Sequence, residues 1–427
     1  MRSGSHYPPK EWYLVPLMRA RLHLICTSMN DFPCGRHTTP DTSISPTGGP
    51  SLGENKLAQL LCLVVLFQIG STPLDLLAKG AGHDAWISVL VGMACGLLLL
   101  LLVFLPLHRL QPDGTLVDML LRHFGKAIGG LVAAAYVVFF AYRALRNVRD
   151  FGELLNMNLY SETPLAVTML VLTATAAFTV YKGIEVLGRM VEVLVPWTIV
   201  GYLFLFALII GTGLLDFNRL LPLLEEGWKP VWSAVPGVIS LPFSEMVLFL
   251  MFWNHAGRSY SAIVKWSTLG FVVNGLFITI TNSVILAGLG PMAETAELPF
   301  LQLTNRIMIG GLFERMDPVI SLLLFTGVFV KITAYYLGAV CALSRLFNKK
   351  ERLFLLPVGL AIYAGSFLFH SYMEEVRVGA GINAMLHFPI FQIVIPVVLL
   401  AWIGIKLSLR RLGSRPSGPE RQMGGSQ

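Results

Sequence analysis

From about residue 54 onward the chain alternates between apolar runs of some twenty residues and short polar stretches. About twenty apolar residues are what an α-helix needs to cross the core of a bilayer. The runs predict ten spanning helices, at roughly 57–78, 85–107, 127–149, 165–181, 190–213, 233–253, 267–290, 318–344, 352–370 and 386–408. The fold class is therefore all-α integral membrane, with both chain ends on the same side. Residues 1–53 follow another pattern, rich in Pro, Ser, Thr, Gly and Arg and without periodicity. Their apolar patch at Tyr13 to Met18 is short, and the ordered regions of a signal peptide are missing. They read as a disordered cytoplasmic leader, with Met29 offering an alternative start. Residues 54–410 form the membrane domain and 411–427 a cytoplasmic tail.

Two spans are interrupted. The first runs into "FQIGSTPLDLL", where Gly70, Ser71, Thr72 and Pro73 follow one another. Proline lacks an N–H and its ring clashes with the carbonyl four residues back, while glycine lowers the penalty for non-helical angles. Ser71 and Thr72 are placed to cap the helix beyond. The sixth span reads "SAVPGVISLPFSEMVLFLMFW", with Pro236, Gly237, Pro242, Ser244 and Glu245 in one segment. Ten helices counted as two sets of five make the first and sixth counterparts. Paired broken helices at matching positions point to a substrate site between inverted repeats, because unwound backbone at membrane depth lines a cavity. Independent packing kinks are the plainer reading of the same residues.

Composition supports the membrane assignment. The 427 residues are 55% hydrophobic and 13% charged, and mean hydropathy is +0.67. With the N-terminus inside, cytoplasmic segments carry 22 of the 32 lysines and arginines, so the positive-inside rule puts both ends in the cytoplasm. The net charge of +7 then reflects topology rather than nucleic-acid binding. Five cysteines, without a CxxC or Cys/His cluster, indicate neither a disulfide framework nor a zinc site.

With these residues in view, "IGSTPLDLLAKGAGHDAWISVLVG" resembles the first-helix region of the amino acid–polyamine–organocation transporters. Within that superfamily the chain is identified as a member of the spore germination permease family, the B subunit of endospore germinant receptors. The stretches that carry the resemblance are "GHDAWIS" (82–88), "SETPLAVTMLVL" (161–172), "YKGIEVLGRMVEVLVP" (181–196), "LLPLLEEGWKPV" (220–231), "GLFERMDPV" (311–319) and "FTGVFVKITAYYLGA" (325–339). They run in order over about residues 54–410. The resemblance implies a ten-helix, five-plus-five inverted-repeat fold in the spore's inner membrane. It also implies assembly with an A-type subunit and a lipoprotein C-type subunit, and binding of a small nutrient germinant, often an amino acid. Two departures stand out. Thr72 occupies the place of the transporter pattern's second glycine, and the break lies closer to Gly82 than in most transporters.

Charges inside spans are costly and mark function. Glu245, just past Pro242, should meet a polar cavity or a cation. It reads either as the partner of a ligand amino group or as a structural acceptor across the helix-six break. Lys331 lies about 20 Å from either end of its span, too deep to snorkel comfortably. In sodium-coupled relatives of the superfamily the first and eighth helices hold a cation, so Lys331 could stand in for that ion. The third span ends in "YRALRNVRDFGE", where Arg146–Asp150 and Arg149–Glu153 are i,i+4 pairs that neutralise a helix end. Arg143 has no such partner and could reach a ligand carboxylate. The candidate binding set is Gly70, Ser71, Thr72, Ser240, Phe243, Ser244, Glu245 and Arg143, with Lys331 as the ion substitute. Tyr136, Phe140, Tyr335 and Tyr336 read as packing residues, and His108, His123 and His255 as solvated loop residues.

No P-loop, HExxH, GxSxG or paired catalytic carboxylate is present in a suitable setting, which leaves an enzyme reading without residues. No cofactor or metal is expected. The leading expectation is a membrane subunit that binds a small nutrient at the helix 1/6 break and signals germination to its partners. The rival is an autonomous proton-coupled amino acid transporter, which shares the fold and the pocket.

Overall fold

The computed structural model describes residues 52–159, 162–257, 259–307, 317–369 and 372–413. The leader (all but its last two residues) and the tail beyond Gly413 lie outside the described residues. Among the described residues nine helices are long and apolar enough to span a bilayer, and a tenth apolar helix, Arg352–Leu368, is shorter. These ten coincide with the ten apolar runs.

Helix α1 (Leu52–Ile69) leads into the break, and α2 (Ala85–Leu99) follows a 3₁₀ segment at Lys79–Asp84. Helix α3 is the longest, Leu116–Asn158, bent at Gly125 with φ 81°. A capping box starts it: the Asp118 amide donates to Thr115 Oγ1 and the Thr115 amide to Asp118 Oδ2, which satisfies two orphan donors of the first turn. Helices α4 (Leu165–Lys182), α5 (Ile184–Gly211) and α6 (Trp228–Ser240) come next. They are followed by α7 (Tyr260–Leu289), α8 (Asp317–Phe347) and α9 (Arg352–Gly365). The last helix, α10, begins at Tyr372–Ile382, widens to a π-helix over Asn383–Val394, and continues as Ile395–Gly413.

Burial separates inner from outer helices. In the apolar window of α8, 83% of residues are buried, against 28% for α5. The outward faces of the peripheral helices carry large apolar side chains such as Trp197, Leu203 and Ile210, which in water would form an aggregating surface and in lipid are at home. The centre is built from α1, α3, α8 and the sixth span. Gly327 of α8 meets the α1 break so closely that a Cβ there would stand 2.8 Å from the Gly70 carbonyl oxygen and 2.9 Å from its nitrogen.

Both predicted interruptions are present. After Ile69, Gly70 takes φ +41°, and a short 3₁₀ turn covers Thr72–Leu74. In the sixth span α6 stops at Ser240, Leu241 is extended, and Phe243–Met251 continues as 3₁₀ helix. One expectation needs correction. Ser71 makes no side-chain cap to the turn beyond; instead the Thr72 hydroxyl donates back to the Gln68 carbonyl at 3.1 Å. The hydroxyl thus serves the ending helix, whose last carbonyls lack amide partners, rather than the starting one.

The connections between α1 and α2, α5 and α6, and α7 and α8 lie over the same end of the bundle, and the first is stitched to the other two and to α7. Asn282 of α7 accepts from the Leu77 amide at 3.2 Å and donates to the Leu77 carbonyl at 3.4 Å. Asp84 accepts from the Leu224 amide with both oxygens, and Lys79 donates to the Ala296 carbonyl.

Candidate functional site

The two breaks converge on three charged side chains. Glu245, in the first turn after the helix-six break, pairs with Arg143 of α3 and with Lys331 of α8, whose Nζ is 2.7 Å from Glu245 Oε2. Exposure is 0% for Glu245, 1% for Lys331 and 4% for Arg143. Three ions withdrawn from water are tolerable only because each supplies the other's counter-charge. Arg143 is therefore not the unpartnered cation expected from its own helix; its partner comes from another span, which local i,i+4 spacing does not reveal. Its helix also runs on past Asn147 and Asp150 to Asn158, so the run of arginines is inside the helix rather than at its end. Arg149 and Glu153 do pair, as expected, but both are buried.

Aromatic rings wall the cluster. The Arg143 guanidinium lies over Tyr335 at 5.7 Å from the ring centroid, and Lys331 lies over Phe67 at 5.8 Å. Phe67 packs on Tyr335 at 5.3 Å and on Phe249 at 5.4 Å. A cation over an aromatic face recovers part of its lost hydration. Tyr335 is thus a wall of the charged centre, not a residue of general packing.

Lys331 also touches the first break. A Cβ on Gly70 would fall 2.8 Å from Lys331 Cδ and 3.4 Å from Nζ, so only glycine leaves room for the lysine stem. The ammonium thus sits between the α1 break and the helix-six carboxylate, on the path joining the first and eighth helices. The Gly70 amide still closes onto the Leu66 carbonyl at 3.0 Å, and the Pro242 carbonyl accepts from the Glu245 amide at 3.3 Å. These two backbone groups are engaged rather than bare.

The other candidates divide. Ser240 donates to the Gly237 carbonyl and accepts from Asn383 at 3.0 Å, and Ser244 donates to Gln392 Oε1. Both serines therefore face α10. Phe243 faces elsewhere: its ring packs against that of Phe271, centroids 5.1 Å apart, and fills the space over Gly96, against α2 and α7. Thr72 is buried and Ser71 half-buried at the α1 break. Asn383, His387 and Gln392 were not singled out from the sequence, although a proline among polar residues at 383–392 was a readable signal.

His108 is not a solvated loop residue. The second span continues to Leu110, which leaves His108 2% exposed with its ring 5.7 Å from that of Trp253. At the opposite end of the bundle from the α1–α2 connection, Lys56, Gln59, Glu185, Gly188, Phe252 and His255 line a cavity. Among the described residues, no group of three or more His, Cys, Asp and Glu could hold a metal ion.

This architecture, with interrupted first and sixth helices around buried charge, is that of a multi-pass membrane protein with a transporter fold. A solved structure of the nucleobase-cation-symport-1 family transporter MHP1, in a closed conformation with bromovinylhydantoin bound, is similar with a TM-score of 0.52 at 12% identity, over 79% of this chain and 78% of that one. The profile of the family described as "Spore germination protein" matches residues 56–375. Spore germination protein KB of Bacillus subtilis (strain 168) is 30% identical over 354 residues, covering 80% of this chain and 92% of the relative. Spore germination protein B2 of the same organism is 24% identical over 360 residues, 82% of this chain and 95% of that one. The chain belongs to the spore germination permease family.

Proposed function

We propose that the chain is the membrane subunit of a nutrient-germinant receptor and binds an amino acid where the α1 and helix-six breaks meet. The carrying observation is the pairing of Glu245 with both Arg143 and Lys331 at that junction. Two cations share one buried carboxylate, so Glu245 cannot fully satisfy both. A ligand carboxylate takes over as the counter-ion of Arg143, whose buried Nε has no hydrogen-bond partner. The ligand ammonium takes the face of Glu245 that Arg143 gives up. Lys331 holds the other carboxylate oxygen throughout, in place of a transported cation. A zwitterion thus exchanges an internal ion pair for two external ones.

Opening the Arg143–Glu245 contact frees α3 to move against the sixth span. A ligand that prefers the opened arrangement shifts the population toward it. In the receptor reading this shift passes to A-type and C-type partner subunits in the spore's inner membrane, with both chain ends in the cytoplasm. The relatives' names as spore germination proteins favour this reading. The alternative reading is an autonomous proton-coupled amino acid transporter, favoured by the fold shared with a symport-family protein.

The two are separated by presenting amino acids, sugars and nucleosides to spores that depend on this chain, and by measuring uptake of labelled amino acids into liposomes holding the chain alone. Germination without uptake supports the receptor. Uptake by the isolated chain supports the transporter, and a response to sugars or nucleosides alone overturns the amino acid assignment.

A further inference from the structure

The π-helical stretch of α10, Asn383–Val394, contains Pro389. Proline removes one amide donor and crowds the carbonyl four residues back, and widening the helix is one way to relieve both. Isolated π-turns are the rule and cluster at functional sites, so twelve consecutive residues are unusual. The widening has a consequence for side-chain direction. At 3.6 residues per turn, Asn383 and Gln392 would point to opposite faces of α10. At about 4.4 residues per turn, the period of i→i+5 bonding, Asn383, His387 and Gln392 fall on one face.

That face meets the helix-six break. Asn383 Nδ2 donates to Ser240 Oγ, and Gln392 Oε1 accepts from Ser244 Oγ. His387 is wedged between Phe139, at 5.0 Å, and Tyr142, at 4.9 Å, both on α3. All three polar side chains are more than nine-tenths buried, yet each keeps one polar atom without a partner: Asn383 Oδ1, His387 Nδ1 and Gln392 Nε2. Ser240, whose proton goes to the Gly237 carbonyl, fixes Asn383 with its oxygen left as an acceptor, and Gln392 as placed leaves its nitrogen as a donor. Leaving such groups unmet in an apolar interior is costly, which makes three on one face a strong indication of a ligand group.

We propose that this face of α10 is a specificity subsite that reads the side chain of the bound amino acid. His387 and Gln392 hold its polar group, and Asn383 continues the site one turn away. The Gln392 amide requires an acceptor there. His387 Nδ1 takes or gives the second bond according to its tautomer, and the apolar interior disfavours a charged group, so the groups that fit are neutral acceptors that can also donate: a carboxamide or a hydroxyl. The charged centre one residue along from Ser244 holds the zwitterion, and α10 distinguishes one zwitterion from another. The assignment rests on the amino acid reading of the central site.

The test is equilibrium binding of radiolabelled L-amino acids to the full-length chain in lipid nanodiscs. Two near-isosteric pairs are compared, asparagine with leucine and threonine with valine. At least one polar member should bind tenfold or more tightly than its apolar counterpart. Gln392→Leu and His387→Phe should bring that ratio to within about twofold, with the affinity of the polar member falling. Gln392→Met keeps the length and removes the donor, so it should lower the ratio even if Gln392→Leu folds poorly. The subsite is overturned if leucine and valine bind as tightly as their partners. It is also overturned if Gln392→Met retains the full ratio, or if aspartate matches asparagine. If none of the four binds the unmodified chain, the amino acid reading falls and the subsite with it.

Discussion

Gly327 rests directly on the backbone of Gly70, with room for no Cβ between them. The contact holds α8 against the α1 break and brings Lys331, one turn further along α8, to the same junction. Alanine at 327 should push the helices apart and lower stability by about 1–3 kcal/mol, the usual cost of overpacking. Gly404 of α10 has open space around its Cβ position. Alanine there should be neutral or raise stability by up to about 1 kcal/mol through helix propensity. Thermal melts of the two variants in one detergent check the contrast.

Glu245 balances two cations, so its loss should be more damaging than the loss of either. Glu245→Gln leaves Arg143 and Lys331 facing each other without a counter-charge, and breaking a buried ion pair in this way costs roughly 3–5 kcal/mol. Adding Lys331→Met removes one of the stranded charges and should recover part of the loss. A double-mutant cycle on melting temperature measures the coupling. Strictly additive losses would show that the three groups do not act as a unit.

Much of this architecture was readable in the sequence, and the boundary has physical causes. The ten spans follow from apolar run length. The breaks at Gly70–Pro73 and in the sixth span follow from glycine and proline chemistry. Glu245 and Lys331 stood out because burying a charge is expensive wherever the chain puts it. The pairing of Arg143 with Glu245 did not stand out, because it joins α3 to the sixth span and leaves no local spacing to read. Phe243 lay between two pocket serines in sequence, yet the 3₁₀ geometry after the break turns it toward α2 and α7. The α10 face was hidden for a sharper reason: the α-helical period places Asn383 and Gln392 apart, and only the π-helix brings them together.

Asn282 fastens the segment after the α1 break through two bonds to the Leu77 backbone. Asn282→Leu should remove both at a cost of about 1–3 kcal/mol, since net hydrogen-bond contributions are modest. The loss should be local. Amide exchange by mass spectrometry should speed up across residues 72–84 and leave α8 unchanged.

His255 lies outside the spanning segments, and burial lowers its pKa below the ordinary 6.5; Glu351 and Glu185 act to raise it, and Arg345 and Lys56 to lower it further. The folded chain therefore binds this proton less readily than the unfolded chain. Its contribution to stability is present above pH 6.5 and is lost as pH falls through the lowered folded value. Melting temperature should drop between pH 7.5 and 5, and more gently in His255→Gln. An identical slope in both proteins would remove His255 from the account.

The claim that the broken helices and their charged centre receive the nutrient is tested most directly by germinant titration. Spores carrying Glu245→Gln, with the chain shown by immunoblot to be present at the normal level, are compared with spores carrying the unmodified chain. The account predicts a loss of amino acid response or at least a tenfold rise in the concentration needed for half-maximal germination. An unchanged titration at normal abundance would contradict it.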